Sequence, residues 1–235
     1  MKRICRYLPI LALLPLCVPF ASAQSSVDFM IGGGTAWDKS NGGGLYNALS
    51  VNAFGSCTPG SGDPDCLTNP KLSGFFLGIG GDVMLWKHLG IGAEVNVQPS
   101  RSNYGSPCST AVDQACLQFR QEFYDFNAVY APVNDKKVTV QIQGGIGGAH
   151  TSFAVNQAGG CVGTAVVCTP ATAEPAGTSN HFQIHAGIGV SLFVTEHIFI
   201  RPQFDIHYVP SFTDQFGRNL VPEATVWVGY NFGSR

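Results

Sequence analysis

From Ile198 the chain alternates strictly. Ile198, Ile200, Pro202, Phe204, Ile206 and Tyr208 share one face, and Phe199, Arg201, Gln203, Asp205 and His207 share the other. A period of two marks a strand with unlike faces. The pattern recurs upstream, where Phe182, Ile184, Ala186, Ile188, Val190, Leu192 and Val194 oppose Gln183, His185, Gly187, Gly189 and Ser191. Ile91, Ala93, Val95 and Val97 oppose Gly92, Glu94, Asn96 and Gln98, and Ala224, Val226, Val228, Tyr230 and Phe232 oppose Glu223, Thr225, Trp227, Gly229 and Asn231. Weaker alternation runs over residues 27–38, 74–86, 117–130 and 138–151. The spacing predicts eight strands, each close to the 9–11 residues, roughly, that cross a bilayer when tilted.

Alternation alone does not say which face meets water, because a soluble barrel with an apolar interior and a membrane barrel with a polar one give the same pattern. Three features point to the second. No lysine falls within a predicted strand: Lys39, Lys71, Lys87, Lys136 and Lys137 lie in links, although solvent-facing strands are usually blunted by lysine. The links alternate in length, with long ones at 39–71, 99–116, 153–180 and 211–219 and short ones at 87–90, 132–137 and 195–197. Outer-membrane barrels combine long extracellular loops with short periplasmic turns in this way. Aromatics gather at strand ends, Trp86, Tyr130, Tyr230 and Phe232 toward the short turns and Trp37 and Tyr208 toward the long loops, where aromatic girdles belong.

Composition agrees. Of 235 residues 45% are hydrophobic and only 12% charged, about half the usual charged fraction of roughly 25%. A formal charge of −2 with 11% aromatics disfavours both a disordered chain and a nucleic-acid binder. After the N-terminus no apolar run reaches the roughly 18 residues of a membrane helix.

At the N-terminus, Lys2, Arg3 and Arg6 precede an apolar run from Tyr7 to Phe20, and Ala21, Ser22 and Ala23 supply small residues for a leader peptidase. The expectation is a cleaved secretory signal over residues 1–23, with cleavage between Ala23 and Gln24, and a single barrel domain over 24–235. Without the three leader bases, ten basic residues stand against fifteen acidic ones, a charge of about −5. Six cysteines remain after that cleavage, in three close pairs: Cys57 with Cys66, Cys108 with Cys116, and Cys161 with Cys168. They fall in the first three long links, as an exported chain permits. Sequence allows 15 pairings of six cysteines, of which local bridges within each loop are preferred. A ring of about ten residues would contribute up to about 3 kcal/mol on the chain-entropy model. None of the pairs has the two-residue spacing typical of zinc ligands, so no metal is expected there.

The residues resemble a family. Gly80, Gly81 and Asp82 before a short turn, Arg201-Pro202 in the seventh strand and the closing Trp227-Val228-Gly229-Tyr230-Asn231-Phe232 make the chain similar to small outer-membrane β-barrels of the outer-membrane protein A transmembrane type. The resemblance implies an all-β, eight-stranded antiparallel up-and-down transmembrane barrel in the cell outer membrane. It also implies a monomer in contact with outer-membrane lipid, without nucleic acid or cofactor. In that family the aromatic last strand is the recognition signal for the barrel-insertion machinery, a role that would fall to Tyr230 and Phe232. Gly233, Ser234 and Arg235 follow the final phenylalanine, a departure from the pattern. No peptidoglycan-binding domain is expected after the barrel. Pro202 removes one ladder hydrogen bond in a barrel without edges, which predicts a bulge or an unpaired carbonyl beside it.

Little in the chain reads as chemistry. The glycine clusters at 32–34, 78–81 and 144–148 match neither the dinucleotide nor the phosphate-loop pattern and read as small residues within barrel strands. His181 and His185 stand four apart, about 13 Å on a strand, too far to share an ion. His150-Thr151-Ser152 resembles the His-x-Ser arrangement of lipid A deacylases, but Phe153-Ala154 replaces the Asn-Ala expected next and no carboxylate partner is assigned. Asp28, Asp82, Glu94, Asp125, Asp205 and Glu223 should point into the lumen with His185, and Arg201 should pair with one of those acids. The expected function is a non-enzymatic structural or surface-interaction role, exposing disulfide-bridged loops to a surface partner. The alternatives are a small passive channel gated by Arg201, a lipid A-modifying enzyme, or a soluble barrel that binds a ligand internally.

Overall fold

The computed structural model describes residues 26–38, 44–46, 56–57, 66–68, 72–104, 115–157, 159–162, 167–169 and 172–233. Its frame is eight antiparallel strands: β1 (Ser26–Trp37), β2 (Ser73–Met84), β3 (Leu89–Val97), β4 (Ala115–Asn134), β5 (Val138–Gln157), β6 (Thr172–Phe193), β7 (Ile198–Tyr208) and β8 (Leu220–Asn231). They run in the order β3-β2-β1-β8-β7-β6-β5-β4, and the pairing of β3 with β4 closes the ring. Closure removes the edges of the ring itself, the condition for strands to span lipid with their backbone groups paired, while residues 172–183 of β6 extend beyond the end of β7 and pair with β5 alone.

Burial follows the predicted alternation. Along β7 exposed and buried residues alternate without a break from Ile198 to Tyr208. The exposed set is apolar and forms a belt around the barrel, with Ile31, Ile79, Ile91, Phe126, Ile146 and Val226 all more than half exposed. At about 25 cal/mol per Å² such a surface is costly in water and stable in lipid. Lys87, Lys136 and Lys137 lie in the short turns, and Lys39 and Lys71 lie outside the described residues.

The long links differ from expectation. Strands β4, β5 and β6 hold 20, 20 and 22 residues, and 20 residues rise about 66 Å against a hydrocarbon core of about 30 Å. Most of the link expected at 153–180 is therefore strand, and a small ribbon of Gly160–Val162 with Val167–Thr169 sits at its tip. In the link expected at 99–116, Ser102–Asn103 pairs with β4. Within 39–71 the strand Gly44–Tyr46 is flanked by Ser56–Cys57 and Cys66–Thr68. The physical reason is an exchange of faces. In β4 the buried set passes from Asp125 and Asn127 to Leu117, Phe119 and Phe123, while the outward set passes from Tyr124 and Phe126 to Gln118, Arg120 and Glu122. The strand continues out of the lipid with its polarity reversed, so the period of two changes sign there instead of ending.

Of the bulge or unpaired carbonyl expected beside Pro202, the structure shows no bulge but does show a break in one ladder. The β7–β8 register runs unbroken through Pro202 opposite Val226. The β6–β7 ladder lapses only at Val190 and Ser191 and resumes in the same register. The missing proline N–H is absorbed as this gap, beside which the Ser191 hydroxyl accepts a bond from Arg201 Nε at 2.8 Å. Register shifts occur instead in β4 between Tyr130 and Val133 and in β6 between Pro175 and Gly177.

The inner face of the tall β4–β6 wall is covered. A 3-10 turn, Phe212–Asp214, in the link after β7 packs Phe212 and Phe216 against Tyr104, Phe119 and Phe153, forming an apolar roof over the lumen. The Tyr104 hydroxyl donates to the Gln215 carbonyl, Ser179 Oγ donates to Gln215 Oε1 at 2.9 Å, and the Arg218 N–H donates to Asp38 Oδ2 at 2.9 Å. Burial pushes the Asp38 carboxyl up to about 6 from its ordinary 3.8, against the opposing pull of the backbone bond and charge of Arg218. A folded-state value above the unfolded one means the folded chain takes up a proton between about pH 6 and pH 4, so this group adds stability as pH falls through that window. Asp38→Asn, neutral at every pH, is therefore expected to gain on wild type at pH 7.5 and to lose that gain at pH 4. A wild-type-minus-variant difference in unfolding midpoint that does not change with pH would count against this.

Candidate functional site

The lumen is the only place among the described residues where many ionisable side chains are brought together. Each comes from an inward position of a strand, and the layers follow from where the eight strands place them. Nearest the short turns lies Arg201, fully buried. Its Nη1 donates to Asp82 Oδ2 at 2.7 Å and its Nη2 to Asp28 Oδ2 at 3.4 Å, while the guanidinium carbon stands 5.1 Å over the Phe199 ring. Asp28 Oδ1 also accepts from Asn231 Nδ2. Beneath the network Met30, Phe199 and Trp227 form an apolar plug.

Above Arg201 two acids share neutral amides. Gln203 Nε2 reaches Glu94 Oε2 and Asp205 Oδ2, both at 2.9 Å, and Gln143 Nε2 reaches Glu94 Oε1 at 3.3 Å and Asp205 Oδ1 at 3.2 Å. The next layer holds two imidazoles. His185 Nε2 bonds Asp205 Oδ1 at 2.9 Å, its Nδ1 faces Asn127 Oδ1 at 2.9 Å, and His207 Nε2 bonds Glu223 Oε2 at 3.0 Å. The two rings stack at 4.9 Å, and Phe123 stacks on the far side of His207 at 4.7 Å. Gln183 Nε2 donates to Asp125 Oδ1 at 2.6 Å. Charged groups this deep persist only when paired and hydrogen-bonded.

Glycines make the room. A Cβ on Gly187 would stand 1.8 Å from Asp205 Oδ1, and one on Gly78 would stand 2.3 Å from the Trp227 ring, so the small inward positions hold the bulky ones opposite. In an eight-stranded barrel the interior is just wide enough for side chains.

All eight predicted lumen residues are inward and buried: Asp28, Asp82, Glu94, Asp125, His185, Arg201, Asp205 and Glu223. The structure gathers Arg201 with Asp28 and Asp82, and His185 with Asp205. Sequence reasoning did not single out His207, Gln143, Gln183, Gln203 or Asn127, which complete the network. Their signal was the same alternation, but neutral amides carry no charge to draw notice.

The remaining candidates scatter. His150 and Ser152 both face outward on β5; His150 Nδ1 lies 2.7 Å from Asn180 Oδ1, and Ser152 Oγ makes no hydrogen bond. Glu122 is paired in register with His150, but its carboxylate takes Arg120 Nη2 at 3.0 Å, so no carboxylate is seen to orient the imidazole. His181 lies edge-on to Phe212 in the roof, well apart from the role of His185. Tyr230 and Phe232 are exposed neighbours at the short-turn end, ring centroids 4.8 Å apart. Cys161 and Cys168 are directly opposed in their ribbon, Cys57 and Cys66 lie on the two strands that flank Gly44–Tyr46, and Cys116 is disulfide-bonded. Cys108, Ala23 and Gln24 lie outside the described residues.

Among solved structures the chain resembles the attachment invasion locus protein Ail of Yersinia pestis in complex with the heparin analogue sucrose octasulfate, at 9% identity and TM-score 0.48 over 89% of this chain and 99% of that one. It also resembles the N-terminal β-barrel domain of Pseudomonas aeruginosa OprF, at 14% identity and TM-score 0.43 over 89% and 99%. A major outer membrane protein from Thermus thermophilus matches at 11% identity and TM-score 0.48 over 88% and 99%. Comparison with curated proteins gives no match. Residues 8–232 match the outer membrane protein beta-barrel domain family, nearly the whole chain, and the protein therefore belongs to that family and resides in the cell outer membrane.

Proposed function

We propose that the protein acts as a closed, non-conducting barrel with a structural or surface-interaction role, carrying disulfide-bridged loops outside the membrane and performing no catalysis. The observation that supports this most is the succession of side chains that meet across the lumen, from the Met30, Phe199 and Trp227 plug through the Arg201 cluster and the paired amides to the apolar roof. The apolar belt takes outer-membrane lipid as its partner, and one chain closes its own ring, so a monomer suffices. The disulfide of Cys116 and the direct opposition of Cys161 and Cys168 favour local bridges in the second and third loops; Cys57 and Cys66 complete the set. Residues 1–23 serve as the leader, removed between Ala23 and Gln24, and Tyr230 with Phe232 forms the signal read by the insertion machinery before residues 24–235 close as one domain.

The test is electrical. Planar-bilayer recordings of the folded protein are expected to show no single-channel steps, with heat-dependent gel mobility used to verify folding. Reproducible steps from wild type, abolished or enlarged in Arg201→Ala, would replace this reading with the channel one.

A further inference from the structure

The two imidazoles and one carboxylate in the middle of the lumen carry an arrangement that hydrogen bonding alone leaves incomplete. We propose that Asp125, His185 and His207 form a binding site for a transition-metal dication of the zinc type. One ligand atom from each lies within 4.8 Å of the others, and all three residues are buried.

The first argument is orientation. His207 and Asp125 each have one polar atom held by a neighbour and a second that stands 3.8 Å from the other residue's, while His185 Nδ1 lies 2.9 Å from Asn127 Oδ1 and must exchange that contact for the ion. Glu223 holds His207 Nε2 at 3.0 Å, Asp205 holds His185 Nε2 at 2.9 Å, and Gln183 holds Asp125 Oδ1 at 2.6 Å. Carboxylates on the far nitrogens of ligating histidines are the usual outer shell of a metal site, because they select the Nε2–H tautomer and aim the Nδ1 lone pair inward.

The second argument is an orphan. His207 Nδ1 makes no hydrogen bond although the residue is 1% exposed. It stands 3.8 Å from Asp125 Oδ2. A lone pair facing a carboxylate oxygen in a desolvated interior is repulsive, and a cation between them reverses the sign. In a tetrahedral site with bonds of about 2.1 Å the ligand atoms stand about 3.4 Å apart, so modest side-chain rotation closes the set. His185 Nδ1 then exchanges Asn127 Oδ1 for the ion, and Asn127 or a water supplies the fourth position.

Charge points the same way. Six carboxylates line the described lumen against one guanidinium, Arg201. Two imidazole nitrogens with one carboxylate oxygen suit zinc better than calcium or magnesium. Inspection of pairs along one strand misses the site because its members sit on β4, β6 and β7.

Tag-free protein, refolded into detergent micelles with zinc chloride and passed over a chelating resin, is expected to retain about one zinc per chain, measured by atomic emission. Asp125→Asn and His207→Gln, checked for folding by gel mobility, are expected to lose it. Glu223→Gln should weaken binding by about 10–100-fold, and His150→Ala, on the outer face, should not change it. Cobalt chloride in place of zinc should give the intense visible bands of a tetrahedral ion. Folded wild type that retains no zinc, or variants that bind like wild type, overturn the proposal. If neither variant folds, the cobalt spectrum of wild type decides, and absence of those bands is a refutation.

Discussion

Arg201→Ala is expected to lower the stability of the folded barrel by about 3–5 kcal/mol, the cost of leaving buried carboxylates without their cation. The guanidinium is fully buried, donates at 2.7 Å to Asp82 and lies 3.4 Å from Asp28. Its removal strands two buried acids, Asp28 and Asp82. The sign can be checked by compensation: Asp82→Asn placed on top of Arg201→Ala should recover part of the loss, because a neutral amide is cheaper to bury than an unpaired carboxylate. Urea unfolding in detergent micelles, followed by the gel mobility of the closed barrel, provides the measurement. If Arg201→Ala unfolds within about 0.5 kcal/mol of wild type, the range of an ordinary surface substitution, the cluster does not hold the lumen together.

Trp227→Ala should be comparably severe, about 3–5 kcal/mol, because the lost contacts leave a cavity in a close-packed plug. The indole is fully buried against Met30 and Phe199, and a Cβ on Gly78 would fall 2.3 Å from its ring. That geometry predicts a reciprocal effect. Gly78→Val in wild type should cost about 1–3 kcal/mol by overpacking, but in the Trp227→Ala background only the contact with Asn96 Oδ1, 2.3 Å from such a Cβ, remains and the cost should shrink. A double-mutant cycle reads this directly, and additive effects would mean that the two positions do not share the space.

Most of the frame was legible in residues. The alternation over β7 and β8 assigned inward and outward sides that the structure repeats position by position, and the same holds for Ile91–Gln98 and for Phe182–Leu192. Bilayer and barrel impose this together, since lipid accepts only apolar side chains and a lumen of eight strands accepts small or mutually bonded polar ones. The low charge has the same origin: strands that face lipid on one side and a filled interior on the other have few places for lysine.

The upper half of the molecule was less legible. The link expected at 153–180 is mostly strand, and Phe153 there breaks the expected rule that apolar residues face out; 211–219 is a link as expected, but its Phe212 and Phe216 are buried. Above the lipid the rule inverts, and these aromatics turn inward to form the roof. The inversion is visible in sequence once both signs of alternation are allowed, since Gln118, Arg120 and Glu122 face out as Leu117, Phe119 and Phe123 face in.

Contacts across the lumen were beyond reach. Arg201 could be matched in advance with any of six acids; it meets Asp28, 173 residues away, and Asp82, 119 away. Likewise Asp125, His185 and His207 share no spacing that would join them. A strand's own pattern states which side a residue faces, because the pleat repeats every two residues. Which residue it meets on the opposite wall depends on the register of all eight strands and on closure between β3 and β4, a relation spread over the whole chain and contained in no local segment of it.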